Sequence, residues 1–285
     1  MPFIVPIDQA RADFPEYKFI KGLTPSEQKA AFHVTDAAGS HLCLKIVAPS
    51  FELDRLGREV MALQVLSHAN VVRLREYTNT SKNGVQRHYI VEEFVEGDDL
   101  SSRLSGGVQM ARNDAATLFA ALADGLSALR GKKIVHRDLK PTNVRVRLDG
   151  TPVIIDFGLC RHLELPDLTD TSQGAAIGTP AYFAPEQADP ASTKRSIDHR
   201  TDLFAFGVML FQALTGRHPF RTPGMNVSQL RQAICTSTDY LGMAEFAALP
   251  PQWQTFAGRL LEKVRAKRPQ EAAQVAAILR KIGGV

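Results

Sequence analysis

The sequence predicts a two-lobed α+β chain, strand-rich at first and helix-rich afterwards. Residues 30–48 read as two strands, and residues 52–66 carry apolar side chains at the spacing of one helix face. The second half contains long helical patterns, including 201–215, which is almost wholly apolar. The change of character near 93–98 predicts a hinge, and a cleft between two lobes is a common position for a ligand site.

The predicted elements follow one another without repeats. The two strands of 30–48 are joined by a turn at 38–40. A long amphipathic helix over 112–130 is expected to have Asn113 as its N-cap. The remaining short strands and helices are predicted at 71–78, 87–95, 134–135, 144–148, 152–155, 201–215, 227–236, 252–264 and 270–282.

Composition excludes several classes of protein. The 285 residues are 44% hydrophobic and 22% charged, with a net charge of +4, which is too mild to indicate nucleic-acid binding. The three widely spaced cysteines favour free thiols in a reducing compartment over disulfides or a zinc site. The N-terminus lacks the basic start of a signal peptide, and no apolar run reaches the ~20 residues of a membrane span. We therefore expect a cytoplasmic protein with no membrane partner.

One short stretch concentrates charge between two apolar segments. IVHRDLKPTNVRV, at 134–146, contains a His, an Asp, an Asn, a Lys and arginines, bracketed by β-branched residues. Such a stretch is either a solvated loop or a catalytic loop, and the flanking sequence has to decide between them.

The flanking sequence contains further blocks in a fixed order. HRDLKPTN (136–143) is followed by DFG (156–158), GTPAYFAPE (178–186) and DLFAFGVMLFQALTGRHPF (202–220), and it is preceded by CLKIV with Lys45 and REV with Glu59. This set resembles the eukaryotic-type (Hanks-type) serine/threonine protein kinases, including their bacterial members, over about residues 17–283. The resemblance implies a protein kinase-like fold with an antiparallel-sheet N-lobe and a mostly helical C-lobe. The implied boundaries are an extension at 1–16, a kinase domain at 17–285, an N-lobe at about 17–92, a hinge at about 93–98 and a C-lobe at about 99–285.

The resemblance assigns catalytic roles by motif. Lys45 would contact the α- and β-phosphates of ATP, and Glu59 would orient it. Asp138 would accept or orient the proton of the substrate hydroxyl, and Lys140 would neutralise the γ-phosphate. A lysine on an edge strand or a charged loop has a purely structural explanation when it occurs alone, but the combination of blocks favours catalysis.

The nucleotide and its metal have their own candidates. Asn143 and Asp156 would supply hard oxygen ligands for Mg²⁺, with Mn²⁺ as the alternative ion. The backbones of Glu93 and Val95 would hydrogen-bond adenine, and Asp99 would reach the ribose. Asn and Asp also favour turns, which is the alternative explanation for the first two.

Regulation and structural support are also implied. Phosphorylation is expected on Thr169, Thr171 or Ser172, with Arg137 pairing with the added phosphate; alternatively, these three are ordinary loop residues. The resemblance implies that three further residues are structural, namely Glu186 in an ion pair with Arg268, and Asp202 bracing the catalytic loop. Lys140 together with Thr179 favours the serine/threonine branch.

The sequence departs from the family at the nucleotide loop and in the adenine pocket. Thr24, Ser26 and Lys29 stand where the family has three glycines, and Pro25 removes a backbone donor. Glu92 falls at the usually apolar back of the adenine pocket and Arg145 at its floor, so both should be paired with each other or with ligand.

Three functions remain open from the sequence. The first is an active Mg²⁺-dependent serine/threonine kinase acting on protein substrates and likewise on its own loop. The alternative is a pseudokinase or scaffold with weak or no transfer, because of the altered nucleotide loop. The third is the same fold moving another group, such as a nucleotidyl transferase. A homodimer is left open.

Overall fold

The computed structural model of the protein describes residues 1–82, 84–163, 180–189 and 197–285. These residues form two compact units. The first unit comprises Met1–Ser67 and Val72–Val95, and the second comprises His68–Val71 and Glu96–Val285.

The first unit is built on an antiparallel sheet. Within the described residues its strands lie in the order β1-β2-β3-β5-β4. They are β1 (Lys18–Gly22), β2 (Lys29–Thr35), β3 (His41–Val47), β4 (Leu74–Lys82) and β5 (Val85–Glu93). Helix α1 (Ile7–Asp13) precedes the sheet and helix α2 (Leu53–Val65) follows β3.

The two faces of this sheet differ in chemistry because side chains alternate along a strand. One face carries Phe32, Leu44 and Tyr89, which belong to one hydrophobic cluster. Ala10 of α1 and Phe14 join this cluster, and the Phe14 ring meets Tyr89 edge-on at 4.4 Å between centroids. Residues 1–16 are thus part of the first unit and cover this face.

The second unit contains short strands and most of the helices. Its strands are β6 (Gly97–Asp99), β7 (Ile134–Val135), β8 (Val144–Arg147), β9 (Pro152–Ile154) and β10 (Arg161–His162). They form a sheet of order β6-β8-β9 and a separate β10-β7 pair. The helices are α3 (Leu100–Arg103), α4 (Arg112–Gly131), α5 (Pro185–Ala188), α6 (His199–Thr215), α7 (Val227–Thr236), α8 (Ala244–Ala247), α9 (Pro251–Leu260) and α10 (Ala272–Gly283).

Helix α6 forms the centre of the second unit, since nearly all of its residues are buried. Its first turn is capped by Asp198, whose side chain accepts from the Arg200 N–H at 2.9 Å. Its end is set by Gly216 at φ 68°, where an added Cβ would lie 2.1 Å from the Gly107 carbonyl oxygen. Glycine is therefore required here by both conformation and space.

The α+β prediction is confirmed, but two local expectations differ. Helix α4 begins at Arg112 with Ala111 in the cap position, so Asn113 lies inside the first turn and is not the cap. Helix α1 was not predicted. Among the described residues, no helix combines the length and apolar character needed to cross a bilayer.

Candidate active site

The register of the first sheet places Lys45 and Glu92 on one face. Lys45 lies opposite Ile90, and Glu92 is two residues further along β5, so the two side chains emerge on the same side. Lys45 Nζ is 2.7 Å from Glu92 Oε2. Glu92 is 2% exposed, and its other carboxylate oxygen, Oε1, has no hydrogen-bond partner among the described residues. The acid that was unexpected at this position is therefore compensated by Lys45.

Glu59 on α2 is paired with Lys29, a residue that the sequence analysis placed in the nucleotide loop and not next to Glu59. Lys29 Nζ lies 2.5 and 2.6 Å from the two carboxylate oxygens of Glu59. Lys29 is 6% exposed and Glu59 is fully buried. The sequence carries one signal for this placement of Lys29, namely the alternation of side chains along β2. Lys29 is two residues from Ala31, and Ala31 lies opposite Lys45. Both lysines therefore share a face of the sheet.

The loop that replaces the family's glycine-rich segment is closed by Ser26. Its hydroxyl oxygen accepts from the N–H groups of Gln28 and Lys29, at 3.2 and 3.0 Å. The Ser26 N–H donates to the Lys29 carbonyl at 2.9 Å. Residues 23–28 are all described, and none has the positive φ that favours glycine. A serine-closed turn thus explains why glycines are dispensable for the shape of this loop.

The candidate adenine contacts lie at the end of β5. The Glu93 N–H donates to the Arg73 carbonyl at 2.9 Å, and the Phe94 N–H donates to the His41 carbonyl at 3.1 Å. The Glu93 amide is therefore engaged within the first unit. Val95 is 5% exposed.

The charged loop of 136–143 in the second unit gathers three of the predicted catalytic residues. Lys140 Nζ donates to Asp138 Oδ2 at 2.6 Å. Asn143 Nδ2 donates to the same oxygen at 3.2 Å and to the Asp138 carbonyl at 2.9 Å. Two donors therefore fix the Asp138 carboxylate, while Asn143 keeps its amide oxygen for other contacts.

The backbone of this loop is fixed from α6. Asp202 accepts from the N–H groups of His136 and Arg137, at 2.8 and 2.9 Å. Burial raises the pKa of Asp202, and His136 and these two N–H groups oppose that rise. Arg137 has φ 67°, a conformation that costs a non-glycine residue about 1 kcal/mol or more. Asp202 thus stabilises a turn that the local sequence would not favour.

Asp156 has the same uncommon backbone conformation, with φ 60°. Its Oδ1 accepts from the Gly158 N–H at 3.3 Å. Asn143 and Asp156 offer oxygen ligands suited to a hard divalent cation. Among the described residues, no group of three or more His, Cys, Asp or Glu side chains is arranged to hold a metal by itself. The two oxygen donors therefore fit a hard divalent cation that other ligands also hold.

Arg145 and Asp99 are partners of each other across β6 and β8. They lie opposite in register, and Arg145 Nη1 donates to Asp99 Oδ1 at 3.0 Å. Arg145 also donates to the Gly97 carbonyl. Arg145 is therefore paired with its cross-strand neighbour in the second unit, and Glu92 is paired with Lys45 in the first. The ribose candidate Asp99 is likewise already engaged by Arg145.

Glu186 and Arg268 form a buried ion pair. Arg268 Nη1 and Nη2 donate to the two oxygens of Glu186 at 2.7 and 2.8 Å, and Thr201 Oγ1 donates to Glu186 at 2.9 Å. The Arg268 guanidinium also lies 4.8 Å from the Phe204 ring centroid. The pair links α5 to the segment between α9 and α10.

The predicted phosphorylation sites Thr169, Thr171 and Ser172 lie outside the described residues, as does Thr179. The pairing of Arg137 with a phosphate therefore stays a prediction.

Comparison with known proteins assigns the family. Residues 30–278 match the family described as protein kinase domain, and the chain belongs to that family. The predicted family and its two-lobed fold class are thereby confirmed. Members of this family use ATP with divalent metal and transfer phosphoryl groups to protein hydroxyls.

Several curated serine/threonine-protein kinases resemble this chain. Pkn2 of Myxococcus xanthus is 35% identical over 237 residues, covering 78% of this chain and 26% of the relative. PksC of Streptomyces coelicolor is 35% identical over 214 residues, covering 74% of this chain and 37% of the relative. DCLK3 of Homo sapiens is 34% identical over 204 residues, covering 70% of this chain and 28% of the relative. The chain thus spans between a quarter and two fifths of the length of these relatives.

Proposed function

We propose that this chain is an active, Mg²⁺-dependent serine/threonine protein kinase that transfers the γ-phosphoryl group of ATP to protein hydroxyls. The observation that carries the proposal is the fixed Asp138 carboxylate, which receives hydrogen bonds from Lys140 at 2.6 Å and from Asn143 at 3.2 Å. Phosphoryl transfer depends mainly on positioning and charge neutralisation, so a carboxylate with a defined orientation is what the reaction needs.

Each catalytic residue has one role in this proposal. Asp138 orients the acceptor hydroxyl and takes its proton, while Lys140 neutralises charge on the transferred group. Lys45 contacts the α- and β-phosphates, and Glu59 holds the geometry around them. Asn143 and Asp156 would hold Mg²⁺, or Mn²⁺ in its place, and the ion would supply positive charge against the phosphate groups of ATP.

Base recognition belongs to the peptide groups of Glu93 and Val95 in the proposal, with the ribose next to Asp99. The Arg145 contact at 3.0 Å orients the Asp99 carboxylate. A ribose hydroxyl can donate to this carboxylate without breaking that ion pair, because an ionised carboxylate accepts several hydrogen bonds.

Autophosphorylation is part of the same proposal. Thr169, Thr171 and Ser172 are the acceptor sites, and Arg137 pairs with the added phosphate. The support is chemical, since a doubly charged phosphate and an arginine form strong, bidentate hydrogen bonds.

Partners and location complete the proposal. The acceptors are protein substrates, and the three cysteines, which form no disulfide within the described residues, support a reducing compartment. Sedimentation of the purified chain separates a monomer from the homodimer that the sequence left open.

The test is incubation of purified protein with Mg²⁺ and γ-labelled ATP, alongside Asp138→Asn. Label in the native protein and not in the variant, mapped to 169–172 by mass spectrometry, is the expected result. Label from α-labelled ATP would indicate nucleotidyl transfer instead. Absence of label from both tracers, with generic acceptor proteins present, would refute the kinase proposal and leave the pseudokinase alternative.

A further inference from the structure

Two lysine–glutamate pairs occupy one face of the sheet in the first unit. Lys29 lies opposite Val47, and Lys45, two residues before Val47, lies opposite Ala31, so both lysines emerge on the same side. Lys45 pairs with Glu92 at 2.7 Å, and Lys29 pairs with Glu59 at 2.5 and 2.6 Å. The lysine on β2 therefore contacts both oxygens of the α2 glutamate.

Burial makes the Lys29–Glu59 contact consequential. Lys29 is 6% exposed and Glu59 is fully buried, so solvent screens their attraction little. A buried carboxylate that loses its cation is strongly unfavourable and tends to move or to take up a proton. The two contacts of Lys29 with the carboxylate thus hold Glu59 in place.

Lys29 also belongs to the turn that replaces the glycine-rich loop. Its N–H donates to Ser26 Oγ at 3.0 Å, and its carbonyl accepts from the Ser26 N–H at 2.9 Å. Through its backbone Lys29 fixes the 23–28 turn, and through its side chain it fixes α2. One residue therefore connects the 23–28 turn to α2.

We propose that Lys29 is a positioning residue for phosphoryl transfer, which holds Glu59 and the 23–28 turn in one arrangement. The inference rests on the proposed kinase function and deepens it. In this proposal the 23–28 turn is held rigid by Lys29, whose side chain is anchored to α2. Lys45 has Glu92 as an additional counter-charge.

The test compares Lys29→Met, Lys29→Arg, Glu59→Gln and the Lys29→Met/Glu59→Gln double variant with the native protein. Lys18→Met is the matched control, because Lys18 is an exposed lysine on the neighbouring strand β1. For Lys29→Met we expect kcat/KM for MgATP to fall roughly 10- to 100-fold, as for other losses of positioning. The KM for ATP should rise while the KM for the acceptor protein stays unchanged. Lys29→Arg should recover most of the activity, because arginine can hold a carboxylate with two hydrogen bonds.

The double variant separates a positioning role from other effects. If Lys29 acts through Glu59, the double variant should be no less active than Glu59→Gln alone. Fully additive losses would overturn the inference. So would a Lys29→Met enzyme that has a lowered melting temperature but native KM values and native kcat per folded molecule. If Lys29→Met does not fold, Lys29→Gln takes its place against Lys29→Arg, and equal kinetics in that pair would also overturn the inference.

A calorimetric titration with MgADP distinguishes this inference from the proposed function. Without phosphotransfer in the native protein, the kinase proposal fails, but binding of MgADP still reports on Lys29. We expect Lys29→Met to bind MgADP about tenfold more weakly than the native protein and Lys18→Met. Equal affinities, or no binding by the native protein, would overturn the inference.

Discussion

Replacing Arg268 by methionine should strongly destabilise the second unit. The change removes two charge-assisted hydrogen bonds to Glu186, of 2.7 and 2.8 Å, while the Thr201 hydroxyl still donates to the Glu186 carboxylate at 2.9 Å. It also removes the guanidinium donors to the carbonyls of Glu262 and Arg200 at 2.8 and 3.0 Å. Loss of one partner from a buried ion pair costs about 3–5 kcal/mol.

The single tryptophan makes this measurable for the second unit alone. Trp253 lies in α9 and is 2% exposed, so its fluorescence reports unfolding of that unit. Urea titration should show a midpoint reduced in proportion to the lost free energy. For a unit of this size, 3–5 kcal/mol corresponds to a melting temperature lowered by roughly 6–20 °C.

An exposed ion pair provides the control. Arg280 pairs with Asp124, and their side chains are 47% and 32% exposed. Arg280→Ala should cost less than about 1 kcal/mol, because solvent screens such pairs. If Arg268→Met were within about 1 kcal/mol of the native protein, the buried pair would not stabilise the unit as argued.

Three further perturbations have defined outcomes. Asp138→Asn should lower kcat by about 10²–10⁴-fold, while the MgADP affinity measured by calorimetry stays near the native value. A parallel loss of MgADP affinity would contradict the role assigned to Asp138. Burial lowers the pKa of His218 to about 4. Unfolded protein therefore binds the extra proton between pH 6.5 and 4, so stability should fall by up to about 3 kcal/mol as pH drops through that window. His218→Asn should reduce this dependence in melting curves recorded across the window, and an unchanged slope would reject the assignment. Phe14→Ala removes a ring that is 2% exposed and lies 4.4 Å from the Tyr89 ring, centroid to centroid. Calorimetric unfolding should therefore show the free energy of unfolding of the first unit lowered by about 3–5 kcal/mol. A loss below about 1 kcal/mol would show that residues 1–16 are dispensable for the core of that unit.

Periodicity predicted the larger elements well because burial and local propensity agree in them. Helix α7 covers Val227–Thr236, the same residues that its apolar pattern indicated. Helix α1 was missed because it is short and follows Pro2 and Pro6, and its stability depends on Ala10 entering a distant core. The N-cap of α4 also differs from the expected one, since it is Ala111, two residues before Asn113.

The sequence alone determined which chemical groups the chain carries and in what order, and that order was enough to assign the kinase family. The partners of those groups were decided by tertiary structure. Alternation along β2 can place Lys29 on one face of its strand, but the order of residues does not say that Lys29 meets Glu59 or that Lys45 meets Glu92. Those contacts depend on strand register and on the direction in which each side chain leaves the sheet. A buried charge must be compensated by whichever opposite charge lies within hydrogen-bond distance, and that distance is a property of the folded chain.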